Sequence, residues 1–185
     1  MNTADWLTAA RLLREGAVGI LPTDTIYGFS ASIHKPESIS RIYSIKERDL
    51  GNPLVILASS LKQIEETFPV LVTEHHHHII QDEQPTSVIY QVKAGEDWGH
   101  PHYQGDDLAI RIPMNHHELI GLLEKTGPIV STSVNKQGSE PLLTPTEIAQ
   151  IFGDHIDFFI DAGSMEAKPS RIVRIETDGT QTILR

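Results

Sequence analysis

Three short stretches carry residue types that could handle an anion. The first is the turn Pro22-Thr23-Asp24-Thr25, directly after the apolar run Ala17–Leu21. The second is Lys46 and Arg48, followed by Asn52-Pro53-Leu54 and an apolar run. The third is Ser131-Thr132-Ser133-Val134-Asn135, with Gly138 shortly after. Hydroxyls and backbone N–H groups at the ends of strands can hold phosphate or carboxylate oxygens. A cation pair beside a proline is presented on a stiff connection. The chain has no cysteine, which excludes disulfides and thiolate chemistry. It has no Gly-x-Ser-x-Gly elbow, no Walker loop and no Gly-x-Gly-x-x-Gly. Each stretch alone also has a plainer reading. Asp and Thr cap their own turns, cations suit a helix C-terminus, and a Ser/Thr-rich segment can be an ordinary polar loop. Taken together, these residues point to a domain that binds an anionic small molecule.

The elements that must position these residues alternate between two periods. Helices are predicted over 4–15, stopped by Gly16; over 36–47, with Pro36 in the first turn; and over 115–126, stopped by Gly127. A further helix starts at Thr144-Pro145-Thr146-Glu147, which has the form of a capping box. Strands are predicted over 17–21, 53–58, 87–92, 108–112, 128–132 and 156–160, and residues 171–184 read as a hairpin around Asp178-Gly179. The pattern is that of an α/β or α+β domain, and the terminal hairpin favours a mixed sheet over a parallel one.

At 185 residues the chain suits one domain, spanning 1–185. With 39% apolar and 22% charged residues it is an ordinary globular sequence. There is no apolar run of about 18 residues, so no membrane span is expected. The amphipathic, acid-bearing N-terminus does not read as a signal peptide, so a cytoplasmic protein is expected. A net charge of −10 argues against broad, charge-driven binding to nucleic acid. His75–His78 lack the spacing of a metal site and are expected to be solvated. His100, His102, His116 and His117 are likewise expected at the surface.

The stretches "LPTDTIYGFSAS", "IKERDLGNPLVIL", "STSVNKQG" and "KPSRIVRIETDGTQTILR", in this order, resemble the YrdC/Sua5/TsaC family of threonylcarbamoyl-AMP synthases. The resemblance runs from about residue 17 to 185 and matches the single-domain form. It implies a twisted mixed sheet, flanked by helices, around a concave cavity. It also implies a reaction of L-threonine, bicarbonate and ATP, with Mg²⁺, that yields L-threonylcarbamoyl-AMP and pyrophosphate. Its product would pass to downstream proteins that make N6-threonylcarbamoyladenosine (t6A) in tRNA, with at most weak RNA contact by this chain. No structural metal is implied.

Residue by residue, the resemblance makes Lys46 and Arg48 the cations that hold the triphosphate and stabilise charge during transfer. Thr25, Ser87, Ser131 and Ser170 would contact threonine. Asn52, Ser133, Asn135 and Arg185 would contact the nucleotide, and Arg111 would orient an anion. The chain departs from the family pattern in places. Ser87 stands for a Thr, Val134 for an Ala, Arg171 for a Thr, and Leu57 for a His of the longer form. Val134 is expected to add bulk beside the nucleotide. A YciO-like paralogue with the same nucleotide-binding fold and a different activity, or a non-catalytic RNA-binding module, are the alternatives.

Overall fold

Asp5 accepts a hydrogen bond from Thr8 N (2.7 Å) and starts helix α1 (Trp6–Glu15). Gly16 ends it in the left-handed region, at φ 100°, where a side chain would be strained. The computed structural model describes residues 2–49, 52, 54–68, 84–91, 107–166, 168–176 and 179–184. After α1 come β1 (Gly19–Leu21), β2 (Gly28–Ser32), α2 (Pro36–Lys46), β3 (Val55–Leu57), α3 (Leu61–Thr67), β4 (Thr86–Gln91) and β5 (Asp107–Arg111). Then follow α4 (His117–Thr126), β6 (Ile129–Ser133), α5 (Pro145–Phe152), β7 (Phe158–Phe159), β8 (Arg171–Ile175) and β9 (Gln181–Ile183).

The strands form one mixed sheet in the order β7-β1-β2-β6-β3-β5-β4-β8-β9. The pairs β1–β7, β3–β5 and β4–β8 are parallel, and the other neighbours are antiparallel. Side chains alternate between the faces, as the strand period of two requires. Ile20, Ile56 and Val130 enter one core with Ile39 and Ile42 of α2 and Ile148 and Phe152 of α5. Their chain neighbours Leu21, Leu57 and Ile129 enter a second core on the opposite face. It contains Ala9, Ala10 and Leu13 of α1 and Leu119, Leu122 and Leu123 of α4.

That second face is covered by helices over only part of its length. Register aligns Ser131 of β6 with Val55 of β3, Val55 with Ala109 of β5, and Ala109 with Ile89 of β4. This row lies two residues from the helix-covered positions Leu57 and Ile129, so it shares their face. It forms the floor of a cavity of about 360 Å³.

Most predicted elements are present with ends shifted by a few residues. The expected strand 156–160 contracts to two residues, and the helix predicted over 115–126 starts at His117. Two elements were not anticipated. β2 is buried at every position and carries two serines, so no apolar alternation marks it. α3 is announced by Ser60, which accepts from Gln63 N (3.2 Å), while Gln63 Oε1 accepts from Ser59 N (2.8 Å). His116 is not a plain surface residue. Its Nδ1 accepts from Leu119 N (3.3 Å) at the start of α4, and its ring packs edge-on against Trp6. His75–His78, His100, His102 and Asp178 lie outside the described residues.

Candidate functional site

The Pro-Thr-Asp-Thr turn is both a turn and a wall. Thr23 Oγ1 donates to Ile26 O (2.7 Å) and accepts from Thr25 N (3.2 Å), which closes the turn. Thr25 Oγ1 lies 2.9 Å from Thr23 Oγ1, and both threonines line the cavity. Asp24 turns the other way. It forms an ion pair with Arg111 (3.2 Å) and accepts from Met114 N (3.3 Å). Arg111 NH2 also reaches Thr23 Oγ1 (3.4 Å). The end of β5 thus presents a guanidinium held in place from the turn after β1.

Ser87 and Ser170 face each other with their hydroxyls 2.9 Å apart, although 83 residues separate them in the chain. Parallel pairing of β4 with β8 brings them together, and the N–H of Arg171 donates to Pro85 O (2.9 Å) at the same level. Ser131 and Ser133 project from β6 into the cavity. Gly28 lies opposite Ser133 in β2. A Cβ there would stand 2.4 Å from Ser131 Oγ, so the absence of a side chain leaves room for that hydroxyl. The apolar part of the lining includes Val55, Ile89, Ala109 and Ile172, together with Ile26, Pro141 and Pro169, and Tyr27 also reaches the cavity.

The two cations part company. Arg48 lines the cavity, and its Nε donates to Asn52 O (3.2 Å), which also accepts from Tyr43 Oη (3.1 Å). Lys46, by contrast, is 1% exposed and absent from the cavity lining. Its Nζ donates to Ser133 O (2.5 Å), Asn135 O (2.9 Å) and Asn135 Oδ1 (2.8 Å). Burial, and then repulsion from Arg48, lowers its pKa to about 7. Three acceptors nevertheless match the three N–H bonds of an ammonium, whereas a neutral amine has only two. The geometry therefore holds the charged form.

Since a lysine can only donate, the Asn135 atom that faces it is the amide oxygen. That oxygen also accepts from Ser133 Oγ (2.7 Å), and Asn135 Nδ2 donates to Ser139 O (2.5 Å). A further clasp joins the same two segments. Gln137 N donates to Lys46 O (3.1 Å), Asp49 N donates to Gln137 Oε1 (3.2 Å), and Lys136 pairs with Glu47 (2.6 Å).

Of the residues singled out from sequence, Thr25, Arg48, Ser87, Arg111, Ser131, Ser133 and Ser170 share one cavity. Lys46, Asn52 and Asn135 stand behind its wall, and Arg185 lies outside the described residues. The side chain of Val134 is fully buried in the core and does not line the cavity. Leu57 is also a core residue. Asp24 was missed as the partner of Arg111 because 87 residues separate them and no local signal links them.

Residues 11–185 match the profile of the Sua5–YciO–YrdC family, described as "Telomere recombination". The threonylcarbamoyl-AMP synthase of Chromohalobacter salexigens is 23% identical over 182 residues, 97% of each chain. A Methanocaldococcus jannaschii relative, provisionally named for the same activity, is 32% identical over 167 residues, covering 88% of this chain and 76% of the relative. Sua5 of P. abyssi, solved in complex with L-threonine, superposes with a TM-score of 0.81 at 26% identity over 97% of this chain. The present chain spans about half of that protein, 53%. E. coli YciO shares the fold, with a TM-score of 0.81 at 22% identity, covering 100% of this chain and 91% of that one. From the match over residues 11–185, the chain belongs to the Sua5–YciO–YrdC family.

Proposed function

We propose that the chain is a threonylcarbamoyl-AMP synthase acting in tRNA t6A modification. One observation carries the reading. Hydroxyls from four separate segments meet Arg48 and Arg111 in one cavity, in a chain whose relatives bear that synthase name. In the proposed reaction the threonine amine adds to bicarbonate and loses water, which gives an N-carboxylate. A carbamate oxygen then attacks the α-phosphorus of ATP. The bond from that phosphorus to the bridging oxygen breaks, and pyrophosphate leaves.

Negative charge moves toward the leaving phosphates in this step, so fixed donors and cations aid it more than a nucleophile would. Arg48 would stabilise the phosphates, and Lys46 would hold the Ser133–Asn135 segment beside them. Arg111, steadied by Asp24, would face the threonine carboxylate. Thr25, Ser131 and the Ser87–Ser170 pair would surround the amino acid. Asn52 would act through its carbonyl on Arg48, and Arg185 would contact the nucleotide.

Among the described residues the cavity lining contains no carboxylate. Among the described residues no group of three or more His, Cys, Asp or Glu could hold a metal ion. In the proposed reaction Mg²⁺ would arrive on the phosphates of ATP. No described helix is long and apolar enough to cross a membrane.

The test is incubation with ATP, Mg²⁺, bicarbonate and a panel of amino acids, with pyrophosphate measured and the adenylate weighed by mass spectrometry. Pyrophosphate release that requires threonine is expected. Equal release with and without threonine would overturn the reading in favour of a YciO-like activity. Salt-sensitive RNA binding without turnover would point to a binding module.

A further inference from the structure

The connection from β7 to β8 is short for the distance it covers. β7 is one edge of the sheet, and β8 lies seven strand positions away, next to the other edge. In a flat sheet that crossing would be about 33–34 Å wide. Twelve Cα steps join Phe159 to Arg171, and they reach about 40–43 Å when fully extended. Part of that reach is used in a turn, where Gly163 (φ 74°) donates from its N–H to Asp161 Oδ1 (2.9 Å). The strap therefore has few residues to spare, and its anchors decide where Pro169 and Ser170 arrive on the cavity wall.

Its first anchor is a side chain far away in sequence, that of Tyr27, just before β2 and two strand positions from β7. Tyr27 is fully buried and tilts against Phe159. Its Oη accepts from Ala162 N (2.9 Å) and donates to Gly163 O (2.8 Å), which uses the hydroxyl in both directions. Burial raises the phenol's pKa, so the donating proton stays in place. The next fastening is Met165 N to Leu143 O (2.9 Å), and the last are Arg171 N to Pro85 O and the Ser170–Ser87 pair. Residues 161–164 are exposed, so packing alone does not hold the start of the strap.

We infer that Tyr27 is a positioning residue: its hydroxyl pins the start of the strap and thereby sets Ser170 against Ser87 at the amino-acid end of the cavity. This assignment rests on the synthase reading. It is tested by a double-mutant cycle on the full chain with Tyr27→Phe, Ser170→Ala and both together, read as pyrophosphate release over ranges of threonine and of ATP. Tyr27→Phe should raise the threonine concentration for half-maximal release about fivefold or more and leave that for ATP within twofold. The double variant should be no worse than Ser170→Ala alone, because Tyr27 acts through Ser170.

A glycine inserted between Ser164 and Met165, with Tyr27 intact, should raise the threonine requirement in the same way. It serves as the readout if Tyr27→Phe does not fold. An unchanged threonine requirement in Tyr27→Phe or in the insertion variant would overturn the assignment, as would two single effects that simply multiply. A parent chain without any threonine dependence would overturn the synthase reading and this assignment together. Threonine dependence in the parent with any of the other failures would overturn this assignment alone.

Discussion

Lys46→Met is expected to lower the melting temperature by about 6–12 °C. The side chain is 1% exposed, and its three donors go to Ser133 O, Asn135 O and Asn135 Oδ1. Methionine nearly fills the same volume, so the cost comes from acceptors left without a donor rather than from a cavity. A hydrogen bond to a charged group contributes about 1.5–3 kcal/mol, and leaving a buried acceptor unsatisfied costs about 1–3 kcal/mol. Partial desolvation relief, from no longer burying an ammonium, offsets some of that loss. A net of about 3 kcal/mol, at about 2–4 °C per kcal/mol for a chain of this size, gives the stated range. Calorimetric melting checks it. A melting temperature within a degree of the parent would mean that the Lys46 clasp contributes nothing.

Arg48→Met should behave in the opposite manner, with melting nearly unchanged and turnover falling roughly 30- to 1,000-fold. Arg48 is half-buried on the cavity wall, where its guanidinium can meet charge that grows on phosphate. Losing one preorganised contact to transition-state charge costs about 2–4 kcal/mol, and each 1.36 kcal/mol is tenfold in rate. The stability effect is small because a partly solvated cation contributes little to folding. Single-turnover measurement at saturating threonine and ATP isolates the chemical step. Turnover within threefold of the parent would remove Arg48 from the phosphate site. The two expected results together separate by function two cations spaced two residues apart, one holding the fold and one serving the reaction.

That separation was not legible in the sequence. Lys46 and Arg48 have the same charge and similar local context, and helix α2 ends between them. Glu47 takes a left-handed conformation (φ 54°) as the helix C-cap and turns the chain, so the two side chains leave in different directions. A rare backbone state at a glutamate has no sequence signature. The cavity residues were easier to find. Thr25 lies where hydroxyls follow a buried strand, and Ser131 and Ser133 lie in the hydroxyl-rich end of β6 itself, so the local pattern marked both places. Ser87 and Ser170 came from family resemblance, since no local feature pairs them. Helices α1, α2 and α5 were legible because a local signal at one end, Gly16, Pro36 and Thr144 respectively, agrees with the apolar period. β2 was hidden because burial on both faces removes the alternation that marks a strand, and its small residues resemble a loop.

The strand order has a consequence for synthesis. β2 and β3 are consecutive in sequence but are not neighbours, because β6 lies between them. A ribosome delivers the chain from its N-terminus, so both strands emerge well before the residues 129–133 that join them. Until then each exposes a line of unpaired backbone groups, the kind of edge that recruits stray strands. Closing the gap joins segments far apart in sequence, which makes for a slow step. The buried, apolar-poor composition of β2, with its two serines, makes the waiting edge less sticky than a valine-rich strand would be.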